Sequence, residues 1–297
     1  MRVNPNPYPD LLAAIDQTQQ RIDTDEQQIS TGLSVNAPSD NPAADAELLQ
    51  NANQSSQTDQ FLRSIGSIQG ELQDADSALN SVVTALQQAI SLGTEGANGT
   101  VNSADRAAVA TEVQGIQSQL LSLANLTYQG SYVFAGTATQ TAAYILNPSS
   151  PSGVTYAGNN GVNKVTVGSN SSLQVNLPGS QLFSASGSDM FQAIQDLINS
   201  LESGTTTTIG AAVNEVSAAY NYINTQRVFY GNGITQLNAQ QTELNSETTQ
   251  LAQQQNTIGG ADLSAVITNL TSSQVSLQAT LQAIGQTGQI DLFDYLK

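Results

Sequence analysis

The fold of this chain is decided by residues 209–258, which read IGAAVNEVSAAYNYINTQRVFYGNGITQLNAQQTELNSETTQLAQQQNTI. A sustained seven-residue period predicts a helix packed lengthwise on another helix, because about 3.5 residues per turn keeps one seam facing the partner. At ~1.5 Å per residue this helix would be about 75 Å long, so we interpret it as part of a rod. The apolar residues at strict seven-residue steps are Val216, Ile223, Tyr230, Leu237, Leu244, Leu251 and Ile258.

The two ends of the chain are each predicted to form one further helix. At the N-terminus a helix is expected over residues 10–31, ended by Gly32. At the C-terminus Asp262 can cap a final helix. Isolated helices of this length are marginal in water, so we expect packing between subunits to order them. The predicted subunit-assembly residues are Leu12, Ile15, Ile22, Ile29, Leu263, Ile267, Leu270, Leu277, Leu281 and Ile284.

Heptads also continue between the ends of the chain. Pro42 suits the first turn of a second helix, with Asn41 as its cap, and glycines between residues 93 and 99 end it. Ser103 is the expected cap of a third helix, which should form an antiparallel hairpin with the second. We expect these seams to form the protein's own rod core, made of Phe61, Ile65, Ile68, Leu72, Leu79, Val82, Leu86, Val113, Ile116, Leu120, Ile223, Leu237 and Leu244.

The middle of the chain, from about Tyr128 to Asp189, is rich in Gly, Ser, Asn and Thr and has few aromatic residues. Short β-type runs between turn residues predict strands at 131–135, 154–156, 164–167 and 173–177. The predicted fold is mainly α: an elongated coiled-coil or helical-bundle rod formed by N- and C-terminal segments, with a small inserted β domain. The predicted domains are a terminal helical domain (1–45 and 259–297), a helical rod domain (46–135 and 188–258) and a small β-rich outer domain (136–187).

The composition excludes several classes of chemistry. The 297 residues contain no Cys and no His, which rules out disulfides, thiolate chemistry and His-dependent catalysis. Seven Lys and Arg against 24 Asp and Glu give a net charge of −17, which disfavours nucleic acid and anionic membranes as partners. The sequence has no phosphate loop, no calcium loop and no Gly-x-Ser-x-Gly elbow. We therefore expect no enzyme, no cofactor and no metal site.

Several stretches of the sequence resemble one known family. Residues 29–36 and 38–42 are similar to the N-terminal signature of the bacterial flagellin superfamily. Residues 126–137, 177–183 and 291–296 resemble the hook–filament junction family within it rather than flagellin itself. The resemblance runs in order over nearly the whole chain.

The resemblance implies a structural subunit of the bacterial flagellum, forming a homo-oligomeric ring that joins hook to filament through its terminal helices. It implies three further partners: the adjacent hook-associated protein, flagellin, and a cytoplasmic export chaperone that acts on the C-terminal segment. It also implies export through the flagellar type III apparatus to the hook–filament junction. No apolar signal segment follows Met1, so we expect no cleaved signal peptide.

Two other functions remain open at this point. The first is a true flagellin, which would be favoured if the protein formed filaments alone. The second is a secreted coiled-coil protein, such as an effector or adhesin, which would require a patch for binding its partner.

Overall fold

The computed structural model describes residues 8–293 and the exposure of side chains over residues 9–285. In the described chain the helices are α1 Tyr8–Thr31, α2 Pro42–Gly96, α3 Ser103–Ala124, α4 Gly179–Leu182, α5 Met190–Ser203, α6 Thr206–Gly259 and α7 Leu263–Phe293. This arrangement confirms the predicted mainly α fold class with small β segments. None of the helices, over their described residues, is long and apolar enough to cross a membrane. The end of the predicted 291–296 motif lies outside the described residues.

Eight short strands of the described chain form four separate antiparallel pairs. The predicted strand 131–135 is shorter than expected, because Val133, Phe134 and Ala135 leave the ladder and are buried in the core. The predicted strand 173–177 likewise ends at Gln174. The pairs are β1 Thr127–Tyr128 with β2 Ser131–Tyr132, β3 Tyr144–Leu146 with β4 Val154–Tyr156, β5 Lys164–Gly168 with β6 Ser171–Gln174, and β7 Ser184–Ala185 with β8 Ser188–Asp189.

The chain divides into two compact units. The terminal unit consists of Met1–Gln57 and Ser246–Lys297, of which residues 1–7 and 294–297 are not described, and the central unit consists of Thr58–Asn245. The segment 136–187 belongs to the central unit and shares its hydrophobic core. The three-part domain assignment made from the sequence therefore stays a prediction.

The central unit contains one continuous hydrophobic core. Among the residues assigned to the rod core, Phe61 is partly buried against this core and all the others are buried. On the surface of the central unit, an ion pair joins α6 to α2. The Arg227 guanidinium donates to both carboxylate oxygens of Asp76 at 2.9 and 3.1 Å. Arg227 also donates to Asn80, so the pair fixes the register of these two helices at one point.

Helix α5 was not predicted from the sequence, although it is strongly amphipathic. It packs against α3, and Asp189 caps it by accepting from the Gln192 N–H at 2.9 Å. The expected cap of α3 is also corrected: Asn102, not Ser103, accepts from the Asp105 N–H at 2.9 Å. The buried side chains of α5 are Met190, Phe191, Ala193, Ile194, Leu197, Ile198 and Leu201.

An aromatic cluster joins the β segments to the helices of the central unit. The rings of Phe134 and Phe183 meet edge to face with centroids 5.2 Å apart, and the Tyr144 ring lies 4.9 Å from that of Phe191. The Tyr144 hydroxyl donates to the Gly179 carbonyl at 2.9 Å. Burial raises the pKa of Tyr144, so the hydroxyl stays neutral in this site.

Candidate assembly surface

The terminal unit has two breaks between helices, and backbone hydrogen bonds join them. Gly32 ends α1 with φ +72°, and its N–H donates to the Gln28 carbonyl at 2.8 Å, as expected of a left-handed helix cap. The Ser34 N–H donates to the Gly259 carbonyl at 2.7 Å, and the Ala261 N–H donates to the Gly32 carbonyl at 2.9 Å. These bonds form a short bridge between the break after α1 and the break after α6.

The loop after this bridge is organised by Asp40. Its carboxylate accepts from the N–H groups of Asn36 and Ala37 at 3.0 and 2.9 Å. These two donors stabilise the charged carboxylate, and so they hold the pKa of Asp40 below its ordinary value. Asn41 then accepts from the Ala44 N–H at 3.2 Å, which gives α2 the N-terminal cap predicted from the sequence.

Helices α1 and α7 pack against each other, and partly buried side chains mark the seam between them. On both helices these side chains alternate in steps of four and three, as in a coiled coil. The seam alternates apolar and polar residues, so it is weaker than a seam filled with Leu or Ile. On α1 it consists of Leu11, Ile15, Thr18, Ile22, Asp25 and Ile29, and on α7 of Val266, Leu270, Ser273, Leu277, Thr280 and Ile284.

The ten predicted assembly residues fall into two groups. Ile15, Ile22, Ile29, Leu270, Leu277 and Ile284 lie in the seam and are partly buried. The other four lie outside it and are about half exposed: Leu12 52%, Leu263 45%, Ile267 52% and Leu281 52%. Val266, which was not predicted, is the most buried described residue of α7 at 7% exposure. The role of these residues in subunit assembly stays a prediction.

The two sides of the α7 seam differ in chemistry. Successive residues of a helix rotate by about 100°, which places Leu263, Ile267 and Leu281 in one stripe beside the seam. The exposed Gln274 interrupts this stripe between Ile267 and Leu281. We call this stripe the α7 apolar stripe. On the other side of the seam, an open groove of about 560 Å³ has polar walls formed by Gln17, Gln20, Arg21, Thr24, Asp25, Asn269, Ser272 and Ser273.

Helix α7 also has an unusual lack of charge. From Leu263 to Ile290 the sequence contains no Asp, Glu, Lys or Arg, whereas α1 carries six charged residues between Asp10 and Glu26. A half-exposed apolar stripe on a long uncharged stretch of helix is typical of a surface that another protein covers. In the described residues no group of three or more carboxylates could hold a metal ion.

The sequence of this chain is similar to those of flagellar proteins. Residues 6–139 match the model of the bacterial flagellin N-terminal helical region. The flagellar hook-associated protein 3 of Escherichia coli strain K12 is 27% identical over 295 residues, covering 91% of this chain and 92% of that protein.

Two solved structures share the fold. A structure assigned to a flagellar hook-associated protein from Vibrio parahaemolyticus has a TM-score of 0.68 at 22% identity, covering 74% of this chain and 99% of that one. The flagellar junction protein of Legionella pneumophila has a TM-score of 0.60 at 15% identity, covering 71% of this chain and 99% of that one.

Proposed function

We propose that this chain, which is similar to flagellar hook-associated protein 3 of Escherichia coli, belongs to that family and is a structural subunit joining hook to filament. The observation that carries the proposal is the match to the Escherichia coli protein, which covers 91% of this chain and 92% of that protein. The lack of Cys and His fits a structural rather than a catalytic role.

We propose that the terminal helices form the contacts between subunits of a homo-oligomeric ring. Within the terminal unit, α1 covers only one side of α7, so the residues of the α7 apolar stripe stay about half exposed in the described chain. Burial of a Leu or Ile side chain contributes roughly 1.5–3 kcal/mol, before the cost of ordering is subtracted. Neighbouring copies that cover Leu263, Ile267 and Leu281 would supply this stabilisation. In this scheme the segment 136–187 faces outward.

Further partners follow from the proposed position between hook and filament. A ring at the junction contacts the adjacent hook-associated protein on one side and flagellin on the other. The subunit would reach this site through the flagellar type III apparatus. Before export, a cytoplasmic chaperone that covers the C-terminal segment would keep the half-exposed apolar stripe of α7 from aggregating.

A deletion strain tests the proposal at its coarsest level. We expect hooks without filaments, and monomeric flagellin in the medium, with both defects reversed by the wild-type gene. Normal filaments in the deletion strain would overturn the proposal. Filaments built from the purified protein alone would indicate a flagellin instead.

Complementation with two matched double variants tests the role of the α7 apolar stripe. Ile267→Asn with Leu281→Asn changes the stripe, whereas Leu146→Asn with Val228→Asn changes two residues of the central unit that are 74% and 57% exposed. We expect the first variant to be exported and to fail to restore filaments, and the second to restore them. Equal restoration by both variants would contradict assembly through this stripe.

A further inference from the structure

The central unit contains a dipeptide that is prone to spontaneous chemical modification, and this chemistry is independent of the proposed function. An Asn followed by Gly is the step most prone to deamidation, because glycine has no Cβ to hinder attack by its own backbone nitrogen. The sequence contains three such steps: Asn98-Gly99, Asn160-Gly161 and Asn232-Gly233. These three identical dipeptides differ in their exposure and in their hydrogen bonds.

Asn98-Gly99 lies in the exposed turn between α2 and α3. Both residues are exposed, and beyond Gly99 and its two chain neighbours no heavy atom lies within 4 Å of the position that a Cβ on Gly99 would take. Among the described hydrogen bonds, none uses the Gly99 N–H. The Asn98 side-chain oxygen accepts from the Thr100 N–H at 3.3 Å and the Thr100 hydroxyl at 3.1 Å. The Asn98 backbone also donates to the Glu95 carbonyl and accepts from the Val101 N–H, both at 3.0 Å. These few bonds lie in an exposed turn, so local opening there requires less free energy than inside a packed helix.

The other two steps are held in place. The Gly161 N–H donates to the Asn159 side chain at 2.9 Å, and the Asn160 side-chain oxygen accepts from the Ser180 hydroxyl at 2.5 Å. Asn232 and Gly233 lie inside α6, where the helix uses the Gly233 N–H and fixes the backbone dihedrals. Gly233 is also buried, so local opening there disrupts packing.

We propose that Asn98 is the deamidation site of the folded protein, and that the fold protects Asn160 and Asn232. The Gly99 nitrogen loses its proton to hydroxide and forms a bond to the Asn98 side-chain carbon, and the amide nitrogen leaves as ammonia. Water then adds to one carbonyl of the resulting five-membered imide and breaks one of its two carbon–nitrogen bonds. The balance is one amide and one water converted to one carboxylic acid and one ammonia.

The product changes the turn in two ways. Opening of the imide gives either Asp or isoaspartate at position 98, and both add a negative charge just beyond the C-terminal end of α2. A negative charge is unfavourable there because the helix dipole is negative at this end. Isoaspartate also lengthens the main chain by one methylene group. The older molecules of a population would therefore differ from new ones at this turn.

The test is incubation of the full-length protein in mildly alkaline ¹⁸O-labelled water, followed by peptide mapping by mass spectrometry. In the folded protein we expect labelled Asp and isoaspartate at position 98 to accumulate at least tenfold faster than at 160 or 232. In urea the three sites should react at similar rates, because the dipeptide is the same. Equal rates at 98 and 160 in the folded protein, or no product at 98, would overturn the proposal.

The variant Gly99→Ala is a clean control for the chemistry. Its Cβ enters open space and the Gly99 backbone is not in the left-handed region, so the variant should fold as the parent does. We expect deamidation at position 98 to slow at least tenfold, in folded protein and in urea alike. An unchanged rate in Gly99→Ala would exclude attack by this backbone nitrogen.

Discussion

The terminal and central units use the same heptad pattern but reach opposite degrees of burial. Seven of the 11 large apolar side chains that are exposed in the described chain belong to the terminal unit: Leu12, Leu33, Leu49, Leu263, Ile267, Val275 and Leu281. Among the described residues of that unit the buried apolar ones are Val35, Leu251 and Val266, whereas the central unit buries several dozen. A heptad pattern therefore predicts a seam, but it does not say whether the seam is closed by the same chain or by another.

The largest expected difference between the two units is in the free energy of unfolding. Leu79→Ala removes a fully buried side chain of the central unit and should destabilise it by about 2–5 kcal/mol. Leu263→Ala removes a side chain of α7 that is 45% exposed and should change the free energy of unfolding by at most about 0.5 kcal/mol. Urea unfolding followed by circular dichroism measures both. An equal loss of stability in Leu263→Ala and Leu79→Ala would contradict the expected difference between the two units.

Limited proteolysis should separate the units in the free protein. The α1–α7 seam contains Thr18, Asp25, Ser273 and Thr280, so local opening requires less free energy there than in the apolar core of the central unit. We expect early cleavage within about residues 1–40 and 260–297, and a protease-resistant fragment that retains residues 58–245. Mass spectrometry of the fragments identifies the cleavage sites. Initial cleavage within the central helices would contradict this order.

Replacing one glycine by alanine in each unit should change stability in opposite directions. Gly32 has φ +72°, so Gly32→Ala should destabilise the end of α1 by about 1–2 kcal/mol, although the space around it is open. Gly66 lies exposed inside α2 with open space around it, so Gly66→Ala should stabilise the protein by up to about 1 kcal/mol. Thermal unfolding measures both changes. Stabilisation by Gly32→Ala would mean that the left-handed cap is not needed.

The helices with a regular apolar period could be predicted from the sequence. Which face of a helix packs against another helix of the same chain could not. On α7, apolar residues occupy two neighbouring stripes, one with Leu263 and Ile267 and one with Val266 and Leu270. Periodicity gives both stripes equal weight, and the structure shows that the second faces α1. Sequence reasoning therefore selected Leu263 and Ile267 as assembly residues, which stays a prediction, and did not select Val266.

The central unit shows a second reason for incomplete prediction. The aromatic cluster joins Phe134, Tyr144, Phe183 and Phe191, which are separated along the chain and follow no period. Contacts of this kind depend on the folded path of the chain, so no local sequence pattern predicts them. Helix α5, in contrast, has an amphipathic spacing that was available in the sequence beside a Ser- and Gly-rich stretch.

The smallest expected effect is the pH response of the loop that joins α1 to α2. The pKa of Asp40 is lowered from 3.8 by the N–H groups of Asn36 and Ala37, so the folded state prefers the charged carboxylate. The stabilisation is therefore present above the unfolded value and is lost as the pH falls through the lower folded value. The amide proton shifts of Asn36 and Ala37 should titrate together with a midpoint below 3.8. Asp40→Asn should abolish the titration, and a midpoint above 3.8 would contradict the proposed hydrogen bonds.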